Sequence, residues 1–554
     1  MNIAKLICYI SLVFVLLFFT NGAASVQANS SQPETTDNPI EIGPPLTLPH
    51  TSPTVVSILQ NQPFGNAPSP THTTVTLPSG HWGKVILTIT GTEQGNQYDR
   101  LLLVWAGATQ IFAGVTPEPT RAGIRWSVQK DVTAYLPVLA AKQVITSQLE
   151  NYLDSVDTGI PQISTALDFY PQDPSSDQTQ NSWDLPVSNS IVPINAQPAM
   201  STVQTKGTLT EDINLPHDLV GVYLDLYAIG QSKDEFWWSN QPAFREVEVS
   251  IDGRPAGVVW PFPFIYTGGV NPLLWRPITA IQTLDLPAYQ LDLSPFAGIL
   301  GGKHTLSIQV ANNQGYWLLG GSLFLYEDGG KPTSGTIVAD TLTFPTKAST
   351  TTTGVLNTTS NAVLNQEATL GYNIQGQIQN GSASWTATVH SSLKMSNDQT
   401  NIGTDNWQLV HGLQDVTTDE SLTGQDQSSW QRHSDTSYTL DSASASMQPS
   451  GNTNAFFLPA NVTQSLSVAH SSNGLFLGAS SNQNRSIAGS AYHSLLYETI
   501  QGYAAIQEGT GTVIADGSTT AFANFENSSG RDFHQVLAAR GGVVTLRQVT
   551  DTSR

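Results

Sequence analysis

No helical period persists anywhere in this chain. Its apolar residues come in short runs of strand length or at every second position. In residues 219–229, Val222, Leu224 and Leu226 alternate with Tyr223, Asp225 and Tyr227. Residues 84–90, 247–251, 305–310 and 316–326 repeat the pattern, and turn signals such as Asp252-Gly253 separate such runs. A pattern of this kind buries one face of a sheet against another, so an all-β chain built of packed antiparallel sandwiches is expected. At 554 residues the chain is long for one core, and two or three domains are expected.

Residues 98–132 carry the most information. Asp99 and Arg100 precede the apolar run 101–105, Gly107 and Ala108 read as a turn, and Ile111 and Phe112 resume a second strand. That strand leads into Thr116-Pro117-Glu118-Pro119-Thr120, where two prolines fix the backbone around Glu118 on a stiff, non-helical loop. Asp99 and Glu118 are therefore expected at the ends of successive strands, facing one rim of a sheet. Trp126 opens a third extended piece and reads as core.

Several blocks in order resemble the A-type peptide-N4-(N-acetyl-β-glucosaminyl)asparagine amidases. They are Tyr98-Asp99-Arg100 with Glu118-Pro119-Thr120 and Lys130-Asp131-Val132, then Asp234-Glu235-Phe236-Trp237-Trp238-Ser239-Asn240 with Phe244-Arg245-Glu246-Val247. Pro261-Phe262-Pro263, Tyr266-Thr267-Gly268-Gly269-Val270-Asn271 with Trp275, and Asp285-Leu286-Pro287 follow. The resemblance runs from about residue 75 to 328. It implies two packed jelly-roll-like antiparallel β-sandwiches, at 72–175 and 205–330, with an active site at the seam between them. The region 331–554, rich in Ser, Thr and Asn, reads as a further β-rich C-terminal domain, with strand candidates at 369–378, 383–390 and 543–549. Residues 29–71 read as a mobile leader and 176–204 as a surface loop or linker.

The N-terminus has the layout of a secretory signal peptide: Lys5, an apolar stretch at 6–19, and small residues up to Ala28. A secreted protein that makes no stable membrane insertion once the signal is removed is expected. The only cysteine, Cys8, lies inside that segment, so the mature chain would have no disulfide, unlike relatives that carry them. A net charge of −21 excludes a basic face for nucleic acid, and the low lysine and arginine content fits work in acid. The eleven histidines show no metal-ligand spacing, so neither metal nor cofactor is expected. Acceptor sequences for N-glycosylation stand at Asn357, Asn380, Asn461, Asn484 and Asn527.

The resemblance implies hydrolysis of the amide between N-acetylglucosamine and asparagine in a glycopeptide or denatured glycoprotein, by a monomer. That reaction needs an activated water and a proton for the departing glycosylamine, and clustered carboxyls supply both by holding different protonation states. The same resemblance makes Asp99, Glu118 and Glu235 the catalytic candidates. Asp234 is the rival of Glu235, since in a strand the two would face opposite sides. Trp237 and Trp238 would likewise split, one to the core and one to stack on a sugar. Arg100, Arg245, Glu246, Asn271 and Trp275 are the remaining substrate-binding candidates. Ala113, Gly114 and Val115 stand where relatives often carry Arg, Thr and Ser, which leaves the polar contacts around Glu118 open. The other readings are a non-catalytic carbohydrate-binding jelly roll and a two-carboxylate glycoside hydrolase.

Overall fold

The computed structural model describes residues 38–66, 70–172, 185–271, 274–356, 361–403, 407–425, 428–445, 455–475, 486–507 and 512–552. The expected signal segment, Asn357 and Asn484 lie outside them.

Among the described residues five antiparallel sheets account for nearly all the regular structure. Two form the first sandwich. One runs Thr54–Pro63, Gln162–Pro171, Trp82–Glu93, Ile124–Asp131, and the other Thr71–Thr76, Lys142–Leu149, Leu101–Ala106, Thr109–Val115. Val85, Leu87 and Ile89 of the first meet Leu102, Val104 and Ile145 of the second in one buried core. The second sandwich repeats the plan. Ser201–Gln204, Tyr316–Glu327, Leu219–Gln231 and Tyr289–Asp292 face Thr208–Leu215, Gly302–Ala311, Glu246–Ile251 and Arg254–Val259. Asp252 and Gly253 both take positive φ at the hairpin between the last two strands, as the Asp-Gly signal requires.

Backbone bonds join the two sandwiches. The free edge of Thr109–Val115 binds residues 283–286: Val115 N–H donates to Thr283 O (2.9 Å) and Leu286 N–H to Ala113 O (2.8 Å). Lys130 pairs with Asp285 across the same junction at 2.6 Å.

From Ser334 onward the chain builds one eleven-stranded antiparallel sheet, mostly a meander in chain order, with strands of up to 22 residues. At about 3.3 Å per residue such a strand is roughly 70 Å long. Burial alternates along Ala362–Asn380, so one face of the sheet covers the sandwiches.

Two expectations are corrected. The leader is part of the fold from residue 38: Ile42 is buried, Ile40 bridges Ile278, and Thr54–Pro63 is a sandwich strand. The expected linker contributes Ser190–Pro193 and Ser201–Gln204, which both pair with Tyr316–Glu327. The acceptor at Asn380 is also buried, its amide donating to Lys331 O at 3.0 Å. Among the described residues no helix is long and apolar enough to cross a membrane.

Carboxyls buried between the C-terminal sheet and the sandwiches give a pH dependence. Burial, with the charge of Glu41 added, pushes Glu498 from 4.5 up to about 8. Burial, with the charge of Glu420 added, pushes Asp292 from 3.8 up to about 7. A carboxyl whose folded value is raised is most compatible with the fold while protonated. Its contribution is complete below the unfolded value and is lost as pH rises toward the folded one. The melting temperature should therefore fall as pH rises from about 4.5 to about 8. A melting temperature that rises across that interval would contradict this account of the junction.

Candidate active site

Leu101–Ala106 and Thr109–Val115 form an antiparallel hairpin with Leu101 opposite Val115, so the residues just outside both strands share one end. Two further bonds carry the pairing outward: Thr116 N–H donates to Arg100 O (2.8 Å) and Arg100 N–H to Thr116 Oγ1 (2.9 Å). Asp99 and Glu118 project from that end, as the strand lengths suggest.

Both reach Gly268, on the loop that follows Arg254–Val259 in the second sandwich. Gly268 N–H donates to Asp99 Oδ2 at 2.9 Å. Thr267 Oγ1 lies 3.4 Å from the same oxygen and 2.7 Å from Thr116 O, so its proton goes to the carbonyl. A Cβ placed on Gly268 would lie 2.5 Å from Glu118 Oε1 and 3.2 Å from Asp99 Oδ1. The two carboxyls thus flank a position that admits no side chain. Gly268→Ala is expected to leave the fold intact while lowering activity at least about tenfold by displacing them. Wild-type turnover in this variant would contradict that placement.

Glu235 arrives from the other side. Leu219–Gln231 ends in two short 3₁₀ turns, Ser232–Asp234 and Trp237–Ser239, so 234 and 235 do not alternate as in a strand. Asp234 is fully buried. Its carboxylate accepts Arg245 Nε (3.0 Å), Arg245 Nη2 (2.7 Å), Trp317 Nε1 (2.7 Å) and the Gln314 N–H. That anchor leaves Glu235, which is partly exposed, to face the carboxyl cluster.

The three groups act on one another. Burial raises Asp99, opposed by the Gly268 N–H bond and by Arg100. Burial and then the charge of Asp99 push Glu118 up to about 8 against Arg276 and Arg100, and the same two causes push Glu235 up to about 7. Asp99 alone of the three accepts a backbone N–H among these causes, and such a bond favours the ionised form.

The remaining candidates are placed differently from expectation. Arg245 and Glu246 do not meet substrate; both are completely buried. Arg245 neutralises Asp234, and Glu246 accepts Trp260 Nε1 and Thr346 N–H. Trp237 and Trp238 do not split between core and surface, since a 3₁₀ turn turns both inward. Asn271 is buried with its amide donating to Leu458 O of the C-terminal sheet, and buried Trp275 donates Nε1 to Gly269 O at 2.7 Å, fixing the Gly268 loop. Arg100 stays at the rim. Its guanidinium donates to Gln97 and lies 5.9 Å from the Tyr98 ring and 5.6 Å from the Tyr152 ring.

Sequence reasoning passed over four groups. Arg276 Nη2 lies 3.8 Å from Glu118 Oε2 and donates to Pro119 O at 3.0 Å. It directly follows the Trp275 block, and adjacency to that block was the available signal. Tyr98 and Tyr152 are more than half exposed and flank Arg100 as an open aromatic platform; Tyr316 lies near Glu235 and Tyr152. Gly268 also lines a cavity of about 290 Å³ whose walls include Phe236, Trp238 and, from the C-terminal sheet, Gln408 and Ser442. Among the described residues no group of three or more His, Cys, Asp or Glu side chains is arranged to hold a metal ion.

A sequence profile of the family described as peptide N-acetyl-beta-D-glucosaminyl asparaginase amidase A matches residues 44–342, more than half of the chain. The chain belongs to this family. The matched stretch holds Asp99, Glu118, Glu235 and Gly268, and ends before most of the C-terminal sheet. A curated relative, the peptide-N4-(N-acetyl-beta-glucosaminyl)asparagine amidase A of Prunus dulcis, is 34% identical over 324 residues. The match covers 52% of this chain and spans only 57% of that relative. Among solved structures, PNGF-II is 16% identical with a TM-score of 0.37, covering 50% of this chain and 66% of its own. PNGase F, described as a glycosylasparaginase from Flavobacterium meningosepticum, is 14% identical with a TM-score of 0.33, covering 49% and 95%.

Proposed function

We propose that this protein is a secreted glycoamidase that cleaves the amide between N-acetylglucosamine and the asparagine side chain of a glycopeptide. The observation that carries the proposal is the placement of Asp99 and Glu118 together against Gly268, with Glu235 inside the field of Asp99. Water attacks the side-chain carbonyl carbon while Asp99 takes its proton. The C–N bond then breaks, and Glu235 delivers a proton to the departing nitrogen. The products are aspartate in the peptide and a glycosylamine. Glu118, held beside Arg276, orients the water or the sugar amide. Tyr98, Arg100 and Tyr152 offer rings and donors to the sugars outside the cleft.

Membership of the amidase A family supports the reaction class, and the aspartate in the product tests it. Mass spectrometry of a glycopeptide after incubation should show released glycan and an asparagine converted to aspartate. An unchanged glycopeptide, or a peptide that keeps its first sugar, would overturn the reading.

The pH profile follows from the assigned roles. Glu235 must be protonated, and it gives up its proton as pH rises through about 7, so the rate falls there. On the acid side the rate rises as Asp99 ionises, above the ordinary 3.8 because that group is raised. Activity should therefore be greatest in acid, and a maximum clearly above neutrality would contradict these roles. Export after cleavage near Ala28 completes the proposal; secreted protein whose N-terminus is still Met1 would refute it.

A further inference from the structure

The C-terminal sheet contributes more than cover. Along Ala383–Ile402, Asn397 and Gln399 point to the sandwich side and are almost wholly buried, where the alternation of an inner face calls for apolar residues. On the neighbouring strand Trp407–Gly424, Gln408 stands opposite Asn401, diagonal to Gln399 and on the same face.

All three amides are aimed at one target. Asn397 Nδ2 donates to Trp238 O at 2.9 Å. Gln399 Nε2 donates to Asn240 O at 3.0 Å and lies 3.3 Å from Trp238 O, which Asn397 already serves. Gln408 Nε2 donates to Ser239 O at 2.8 Å. The amides also bind one another, Gln399 to Asn397 at 2.8 Å and Gln408 to Gln399 at 3.1 Å. The three consecutive carbonyls end the 3₁₀ turn Trp237–Ser239, where helical geometry leaves carbonyls without partners of their own. Asn240 then reaches back to Lys233 O at 2.6 Å, closing the segment on both sides of Glu235. Gln366 continues the pattern, its carbonyl accepting Ala243 N–H at 2.7 Å.

We infer that Asn397, Gln399 and Gln408 are positioning residues of the active site, by which the C-terminal sheet fixes the turn directly after Glu235 and so holds Glu235 at its working distance from Asp99. The inference rests on the glycoamidase reading for its kinetic consequence. Its geometry does not depend on that reading. A buried network in which each member binds the next holds one arrangement firmly, and losing one donor leaves a carbonyl unsatisfied. The C-terminal region is then part of the catalytic machinery instead of an appended module.

The test compares Gln399→Leu and Gln408→Leu with Gln535→Leu in the full chain. Gln535 is a buried amide of the same sheet that binds Gly43 N–H, far in sequence from the turn. Gln408 is only partly buried, so its variant serves if Gln399→Leu does not fold. Two readouts are needed: kcat and KM on a glycopeptide, and the titration of Glu235 followed by carboxyl-carbon NMR, assigned by difference from Glu235→Gln. The titratable groups facing Glu235 are Asp99, Tyr266 and Tyr316. The two turn variants should lose about 10–10²-fold in kcat with a smaller change in KM. Their Glu235 should titrate closer to the ordinary 4.5, as the turn loosens, admits water and withdraws from Asp99. Gln535→Leu should lower only the melting temperature. An unchanged Glu235 titration in both turn variants overturns the inference. A wild-type protein without amidase activity overturns the proposed function, and the titration still decides this inference.

Discussion

Asp99→Asn and Glu235→Gln each lower turnover on a glycopeptide by about 10²–10⁴-fold, while both proteins stay folded and still bind the substrate. Each substitution keeps the shape and much of the hydrogen-bonding capacity of the side chain and removes only its ability to exchange a proton. In Asp99→Asn the carbonyl oxygen of the new amide can still accept the Gly268 N–H, so the loop at the seam keeps its place. The two residues come from different sandwiches and meet only across the junction, so neither loss reduces to misfolding of one domain. Glu118→Gln costs less, because a group held near 8 by burial and Asp99 is protonated at working pH and an amide mimics it. Steady-state kinetics with melting curves check all three. Full activity in folded Asp99→Asn or Glu235→Gln removes that residue from the mechanism.

Asp234→Asn gives the opposite phenotype one residue away. Asp234 and Arg245 are both completely buried, and among the described residues the guanidinium has no other carboxylate within its bonding distances. Replacing the carboxylate by an amide leaves an uncompensated cation in the core, a loss of about 3–5 kcal/mol in comparable buried pairs. The variant should melt far below the wild type or fail to accumulate. Glu235→Gln removes a carboxyl that burial disfavours in its charged form, so it should melt at or above the wild-type temperature near neutrality. An Asp234→Asn protein of wild-type stability would show that the buried pair is not the anchor of this turn.

Much of this was legible in the sequence because the governing signals are local. Asp-Gly and Gly-Ala turns punctuate the strands, and the lengths of Leu101–Ala106 and Thr109–Val115 suffice to bring Asp99 and Glu118 to one end. The short edge strands Ser190–Pro193 and Ser201–Gln204 were not legible, since four residues among prolines and polar groups give no period to count. Nor was the inward turn of Asp234 and Arg245, whose burial depends on Trp317 and Gln314 from a strand and loop some eighty residues away. Strand candidates in the C-terminal region fell short of their observed lengths for a related reason. Inner-face positions such as Asn397, Gln399 and Gln464 are polar, so polarity no longer distinguishes the two faces. Those amides are inside because they meet carbonyls of the catalytic turn or a buried carboxyl, partners that no local pattern announces.

In the proposed reaction the bond broken lies between the asparagine carbonyl carbon and its nitrogen. Hydrolysis of a glycopeptide in heavy-oxygen water decides it, because the label marks the atom that water attacked. One heavy oxygen is expected in the side-chain carboxyl of the newly formed aspartate, in wild type and not in Asp99→Asn. Label on the anomeric carbon of the released sugar, with the asparagine amide intact and unlabelled, would contradict it.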